Sequence, residues 1–215
     1  MIYWGVLLER GMYDEAVDSL LGVASRCGSQ NWTRISVPHT ATEWAREQFT
    51  EAFMESTSDP YDTLVMLDAD HKYPANVVER LALDPHPDYG VVAALAFCRG
   101  EDSRPAFYMK DSEDPEFWYS TSKIPENKII PADMVGTGAI AIRRWVFDKL
   151  QPPYWKKMYD VVRGGEDWYF SLQCEKAGIA RYVHTGVEIP HIRLGTVTRK
   201  DWEKYCYDNL SISDT

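Results

Sequence analysis

Along the first hundred positions, short apolar blocks alternate with amphipathic stretches. IYWGVLLE (2–9) is an apolar block that reads as a buried strand. Residues 12–28 place Ala16, Leu20, Val23 and Ala24 at helical spacing, with Gly28 as a C-cap. TRISVPH (33–39) reads as a second strand ended by Pro38. Residues 40–57 predict a second helix, capped by Thr40 or Thr42, with Trp44, Phe49 and Phe53 as core contacts. DTLVMLD (62–68) is a third strand, and its unbroken apolar run suits burial on both faces. PANVVERLALD (74–84) predicts a short helix with Pro in its first turn, and GVVAALAFC (90–98) a fourth buried strand. This alternation predicts an α/β fold: a mostly parallel central sheet with helices on both faces.

Beyond Cys98 the pattern loosens. Residues 99–128 are rich in charge, Pro and Ser, with Phe107, Tyr108, Phe117, Trp118 and Tyr119 among them, and predict an irregular excursion with short strands. Residues 132–150 predict a strand and then a helix; PPYWKKMYDVVRGG is a loop; 166–178 is a helix closed by Gly178. ARYVHTGVEIPHIRLG gives a strand and a turn, and a last helix starts near Thr198. No repeat or low-complexity tract interrupts the chain, so one domain over residues 1–215 is expected.

Charge narrows the function classes. The 215 residues hold 33 acids against 23 Lys plus Arg, a net charge of -10. That balance argues against nucleic-acid binding through phosphate contacts. It also repels a small phosphorylated substrate unless a cation or a local basic patch intervenes. Cys27, Cys98, Cys174 and Cys206 form no CxxC pair, which argues against a zinc ribbon, and buried free thiols in a reducing compartment are expected. No secretory signal pattern and no run long enough to span a membrane is present, so a soluble, cytoplasmic protein, of a cell or a virus-infected cell, is expected.

Ligands of open α/β sheets bind beyond the carboxyl ends of the strands. Four features fall there: Glu9, His39, Asp68-Ala69-Asp70 and Cys98-Arg99. Carboxylates at i and i+2 repel each other unless something positive sits between them. Such a pair can turn toward one oxygen-seeking cation, Mg2+ or Mn2+. On local evidence a solvated turn is as good an account. Neither GxGxxG nor GxxxxGK follows the first strand, so dinucleotide and Walker-type sites lack their fingerprint.

LVMLDADHKYPANVVERL resembles the DxD segment of nucleotide-sugar glycosyltransferases with the GT-A fold, close to the family 2 type. VGTGAIAIRRWVFDKL resembles the acceptor-side strand and helix of that family, GGEDWYFSLQCEKAG its ED motif, and VEIPHIRLG the segment carrying a third metal ligand. The resemblance implies a divalent cation, Mn2+ or Mg2+, bound by Asp70 and His191, with Asp68 on the ribose or on the metal through water. It implies a nucleotide side lined by Leu8, Glu9, His39, Arg46, Asp68 and Ala69. Gly136, Thr137, Gly138 and Trp168 would border donor and acceptor, and Arg193, Arg199 and Lys200 would form a basic clip on the diphosphate. One of Glu166 and Asp167, foremost Asp167, would be the catalytic base, the other holding the acceptor. Two acids in a first helical turn are also favoured by the helix dipole alone, which would keep the base's pKa low. His191 has a plain alternative as a loop histidine beside Pro190.

The implied activity is metal-dependent, inverting transfer of a sugar from a nucleotide-diphosphate donor to a hydroxyl acceptor, a glycan, a lipid or another. Residues 1–98 would form the donor half and 99–215 the acceptor half. The rivals are a sugar-nucleotide-binding domain without turnover, a sugar nucleotidyltransferase and, more weakly, a metal-dependent hydrolase. Two departures from the family stand out: VPHT replaces the acid that reads the base, and ERGMYDEA follows strand one in place of a Pro-Thr-Tyr-Asn type of turn.

Overall fold

The computed structural model describes residues 1–7, 14–30, 32–35, 41–98, 103–114, 118–121, 123–158, 165–192, 196–200 and 202–204. Leu8, Glu9, His39, Thr40, Arg99, Phe117, Arg193 and Cys206 lie outside the described residues. The elements of the first half are β1 (Ile2–Leu7), α1 (Asp14–Ser29), β2 (Thr33–Arg34), α2 (Thr42–Ser56), β3 (Thr63–Asp68), α3 (Val77–Leu83) and β4 (Val91–Ala96). The second half holds β5 (Phe107–Lys110), β6 (Trp118–Tyr119), β7 (Ile129–Ala132), β8 (Met134–Val135), β9 (Ala139–Arg143) and α4 (Arg144–Lys149). It ends in α5 (Glu166–Lys176), β10 (Arg181–Ile189), β11 (His191–Ile192) and β12 (Thr196–Val197).

The main sheet has seven strands in the order β2-β1-β3-β9-β4-β10-β7. The strands β2, β1, β3, β4 and β10 share one direction, and β9 and β7 run against it. The fold is therefore mixed α/β with a mostly parallel central sheet, an arrangement consistent with the GT-A, Rossmann-like type. β9 is the unexpected element: it inserts antiparallel between β3 and β4. An apolar run specifies burial but not direction, so this insertion had no sequence signal. It also means that residues from both proposed halves build one sheet. A smaller sheet, β6-β5-β8, gathers the aromatic excursion.

Alternation along β3 explains the two layers. Leu64 and Met66 join Phe49 and Phe53 of α2, Phe147 of α4 and Phe170 and Cys174 of α5 on one face. Val65 and Leu67 join Leu20, Val23 and Cys27 of α1 and Val78 and Leu81 of α3 on the other. Burying each of those phenylalanines contributes about 1.5–3 kcal/mol. Gly5 lets α2 approach β1, because a Cβ there would meet the Phe49 ring at 2.0 Å.

Several local expectations change. Cys27, not the half-buried Ala24, completes the inner stripe of α1. Trp44 is 64% exposed, since it lies on the outer side of the helix that buries Phe49 and Phe53. Thr42 is already helical, and Ala41 holds the N-cap of α2 with no side-chain bond. Among the described residues the second strand is Thr33–Arg34, both exposed at the sheet edge, and positions 36–39 of the expected strand lie outside the described residues. Residues 132–150 hold two strands, because Gly136-Thr137-Gly138 carries the chain from β8 in the small sheet to β9 in the large one. Cys27 and Cys174 are buried free thiols and Cys98 is half-buried. No helix among the described residues is long and apolar enough to cross a membrane.

Candidate active site: two acid pairs on one buried arginine

The run Leu64–Leu67 drives β3 through the core and delivers Asp68 at its end, half-buried. The Asp68 N–H donates to the Gly138 carbonyl at 2.9 Å, which ties the turn to the start of β9. The Tyr73 hydroxyl lies between the Asp68 and Gly138 carbonyls and donates into that pair. The next residues pair with a distant segment: Ile192 N–H donates to the Asp70 carbonyl at 2.8 Å and Lys72 N–H to the Pro190 carbonyl at 2.9 Å. His71 and His191 therefore stand opposite each other across an antiparallel bridge.

This pairing assembles the first cluster. Asp70 Oδ1 is 2.8 Å from His71 Nδ1, and Asp70 Oδ2 is 3.4 Å from His191 Nε2. The two imidazoles stack at 4.1 Å with 17° between their planes. One ligand atom from each of Asp70, His71 and His191 lies within 4.8 Å of the others. His191 Nδ1 is 3.0 Å from the Phe97 carbonyl, which can only accept, so Nδ1 carries a proton. The other ring nitrogen of His191 then faces the Asp70 carboxylate. Such a contact is favourable only if a proton or a metal cation occupies Nε2. Burial pushes the Asp70 carboxyl up, but hydrogen bonds from His191 and His71, and their charge, outweigh it and hold it well below the usual range. A carboxylate whose pKa is held low, beside an imidazole with a fixed tautomer, is a donor set that fits a divalent cation.

The second cluster centres on Arg46, which is 0% exposed. Its Nη2 donates to both Asp68 oxygens, at 2.7 and 3.0 Å, and its Nε to Glu166 at 3.3 Å. Nη1 is buried and has no hydrogen-bond partner among the described residues. The guanidinium lies 5.5 Å from the Trp155 ring centroid; Trp155 donates to Thr50 at 2.9 Å and stacks on Phe170 at 4.3 Å. Burial works against the Arg46 charge, but Asp68, Glu166 and Asp167 together bind its proton more firmly. For Asp68, burial and then the charges of Asp70 and Glu166 push the carboxyl upward, against the pull of Arg46.

Asp167 differs from both its neighbours. Its Oδ1 accepts the Trp168 N–H at 2.8 Å. Burial, then the adjacent Glu166, raise its pKa to about 6, although it sits in the first turn of α5. The helix dipole was expected to keep this group low; desolvation and a like charge win instead. Beyond it, Trp168 packs on Trp118 at 4.7 Å and on Tyr108 at 5.6 Å, forming an aromatic wall beside the acid pair.

The structure thus brings Asp70 together with His191, and Arg46 together with Asp68 and Glu166. Asp68 is turned to Arg46, and the cluster around Asp70 takes His71 in its place, because Arg46 reaches the end of β3 from the α2 side. Glu166 likewise faces Arg46 rather than standing free for an acceptor. Gly138 packs on His71, Gly136 against the Ala106 backbone, and Ala69 and Thr137 are buried. Arg199 is not a free clip: it holds Glu188, the Ile124 carbonyl and the Thr185 carbonyl. Lys200 is exposed. His71 escaped the sequence reading although it follows Asp70 directly; Trp155 and the Phe97 carbonyl carried no signal, since their roles depend on contacts across the fold.

No protein-family model matches the chain, and no curated protein matches it. Solved structures do. The crystal structure of A197 from STIV is 17% identical, with a TM-score of 0.58 over 93% of this chain and 90% of that one. It shares the fold. Two looser likenesses are a β-1,4-galactosyltransferase 7 from Drosophila in complex with manganese, UDP-Gal and xylobiose, and an inositol-1-phosphate CTP transferase from T. maritima. The first is 16% identical with a TM-score of 0.47 over 100% of this chain and 79% of that one. The second is 9% identical with a TM-score of 0.45 over 98% and 94%. At those scores neither bears on function.

Proposed function

We propose that the chain is a GT-A-type glycosyltransferase of the family 2 kind. It moves a sugar from a nucleotide-diphosphate donor to a hydroxyl acceptor, with inversion, using Mn2+ or Mg2+ held by Asp70 and His191. The observation that carries this reading is the bridge through Arg46: it joins the Asp-x-Asp turn to the Glu-Asp turn, so a cation-ready carboxylate and a base with a pKa near 6 serve one site. When bound, the cation neutralises charge on the departing diphosphate.

The chain's own residues do the rest. Asp70, its carboxyl held below the usual range, and His191, with Nδ1 on the Phe97 carbonyl, present donors beside the turn. Asp68 is half-buried on Arg46 and keeps acceptor capacity for a ribose hydroxyl or for water on the cation. Residues 1–98 supply the donor side, with Leu8, Glu9, His39 and Ala69 beside the nucleotide. Residues 99–215 supply the acceptor side, where the Tyr108, Trp118 and Trp168 wall offers aromatic faces to a sugar ring. Gly136 to Gly138, Arg193 and Lys200 border donor and acceptor. Asp167 takes the proton from the acceptor hydroxyl while that oxygen bonds to the anomeric carbon and the diphosphate leaves with the former bonding pair. One acid, attacking opposite the leaving group, gives inversion.

The test is release of nucleoside diphosphate from a panel of nucleotide sugars, with Mn2+ and with acceptors. Asp70→Ala is expected to lower turnover about a thousandfold. Undiminished turnover in that variant sinks the proposal. Donor binding by calorimetry with no product from any acceptor turns the reading to a binding domain without turnover.

A further inference from the structure

We propose that His71 Nδ1 is a third ligand of the cation. The site would then be one carboxylate and two imidazoles, which takes a nitrogen-seeking transition cation such as Mn2+ in preference to Mg2+ or Ca2+. This rests on the reading that Asp70 and His191 grip a cation, and adds which residue completes the grip and which cation it admits.

Backbone geometry supplies the first reason. His71 and His191 are directly opposed across an antiparallel bridge, and opposed residues project to the same side. Their rings accordingly stack at 4.1 Å with Asp70 between their nitrogens, 2.8 Å from His71 and 3.4 Å from His191.

Space supplies the second. His71 is 3% exposed, and its ring fits only because residue 138 is glycine: a Cβ there would lie 2.7 Å from Cε1 and 2.8 Å from Nε2. A close approach of backbone to imidazole is thus built into the start of β9.

Chemistry supplies the third. The carboxylate that would make this an all-oxygen pair, Asp68, has both oxygens on Arg46. Imidazole nitrogen binds Mn2+ and the later first-row cations well, whereas Mg2+ and Ca2+ want oxygen.

The test uses the full chain stripped with EDTA, MnCl2 and MgCl2 alone, and no donor. Pulsed EPR of the bound Mn2+ is expected to show two nitrogen couplings in the wild type and one in each of His71→Ala and His191→Ala. Gly138→Val, which keeps every donor but fills the space of the ring, should also show one. Mn2+ affinity should fall about tenfold or more in His71→Ala, and about a hundredfold excess of Mg2+ should fail to displace Mn2+ from the wild type. A single nitrogen coupling in the wild type, which needs no variant to fold, overturns the proposal. So does an unchanged count in His71→Ala, displacement by equimolar Mg2+, or no Mn2+ binding. Turnover measured in parallel keeps the two readings apart. Two nitrogens with no transfer from any nucleotide sugar remove only the activity, and transfer with one nitrogen removes only the role of His71.

Discussion

The end of β3 and the start of α5 each present two acids, and the two pairs are split in the same way. The first acid of each, Asp68 and Glu166, is spent on Arg46. The second acids differ. Asp70 meets two imidazoles that hold it low, while Asp167 is buried beside the like charge of Glu166, accepts the Trp168 N–H and is raised to about 6. A cation ligand must stay charged at every working pH, whereas a base works best near it. The same side chain is thus tuned in opposite directions by what the fold sets against it. The shared arginine offsets the charge of three neighbouring carboxyl groups, Asp68, Glu166 and Asp167.

Breaking the shared element should have the largest effect. Arg46→Met leaves Asp68 and Glu166 without their cation and is expected to lower stability by about 3–5 kcal/mol in urea unfolding, with transfer lost. A stability within error of wild type would show that the acids do not need it.

Next comes the contrast within the second pair. Asp167→Asn should reduce kcat about a thousandfold with donor KM little changed, and Glu166→Gln about tenfold less than that. Equal losses in the two would mean the roles are shared or swapped. The same base sets the pH profile. Asp167 acts deprotonated and its folded pKa is about 6, so the rate should be flat above that value and fall tenfold per pH unit below it. In Asp167→Asn the limb should disappear.

The smallest effect tests the support beneath the arginine. Trp155→Phe removes the bond to Thr50 and weakens the aromatic face under Arg46, with an expected loss of about 1 kcal/mol and a modest drop in kcat. A loss as large as that of Arg46→Met would make Trp155, rather than the acids, the main partner of the guanidinium.

The candidate site was legible where neighbours in sequence are neighbours in space. Asp68, Asp70, Glu166 and Asp167 could be picked out because each pair is local, and Arg46 and His191 because a family resemblance pointed to their positions. Which acid faces which partner was not legible. Asp68 and Arg46 are 22 residues apart, and Arg46 and Glu166 are 120 apart. A contact over such separations depends on where α2 and α5 settle on the sheet. His71 carries no signal of its own for the same reason: a histidine in a turn acquires meaning only when β11 folds back on it.

By itself, the sequence determined the layers of this protein. Period-two and period-3.6 apolar patterns are local properties of the chain, and they fix which segments become strands and helices and which sides they bury. The tertiary structure alone decided that β9 runs antiparallel between β3 and β4, and that Gly138 thereby lies against His71. It alone decided the charge states of the acids, because burial and the distance to an imidazole or guanidinium are set by packing between segments far apart in the chain.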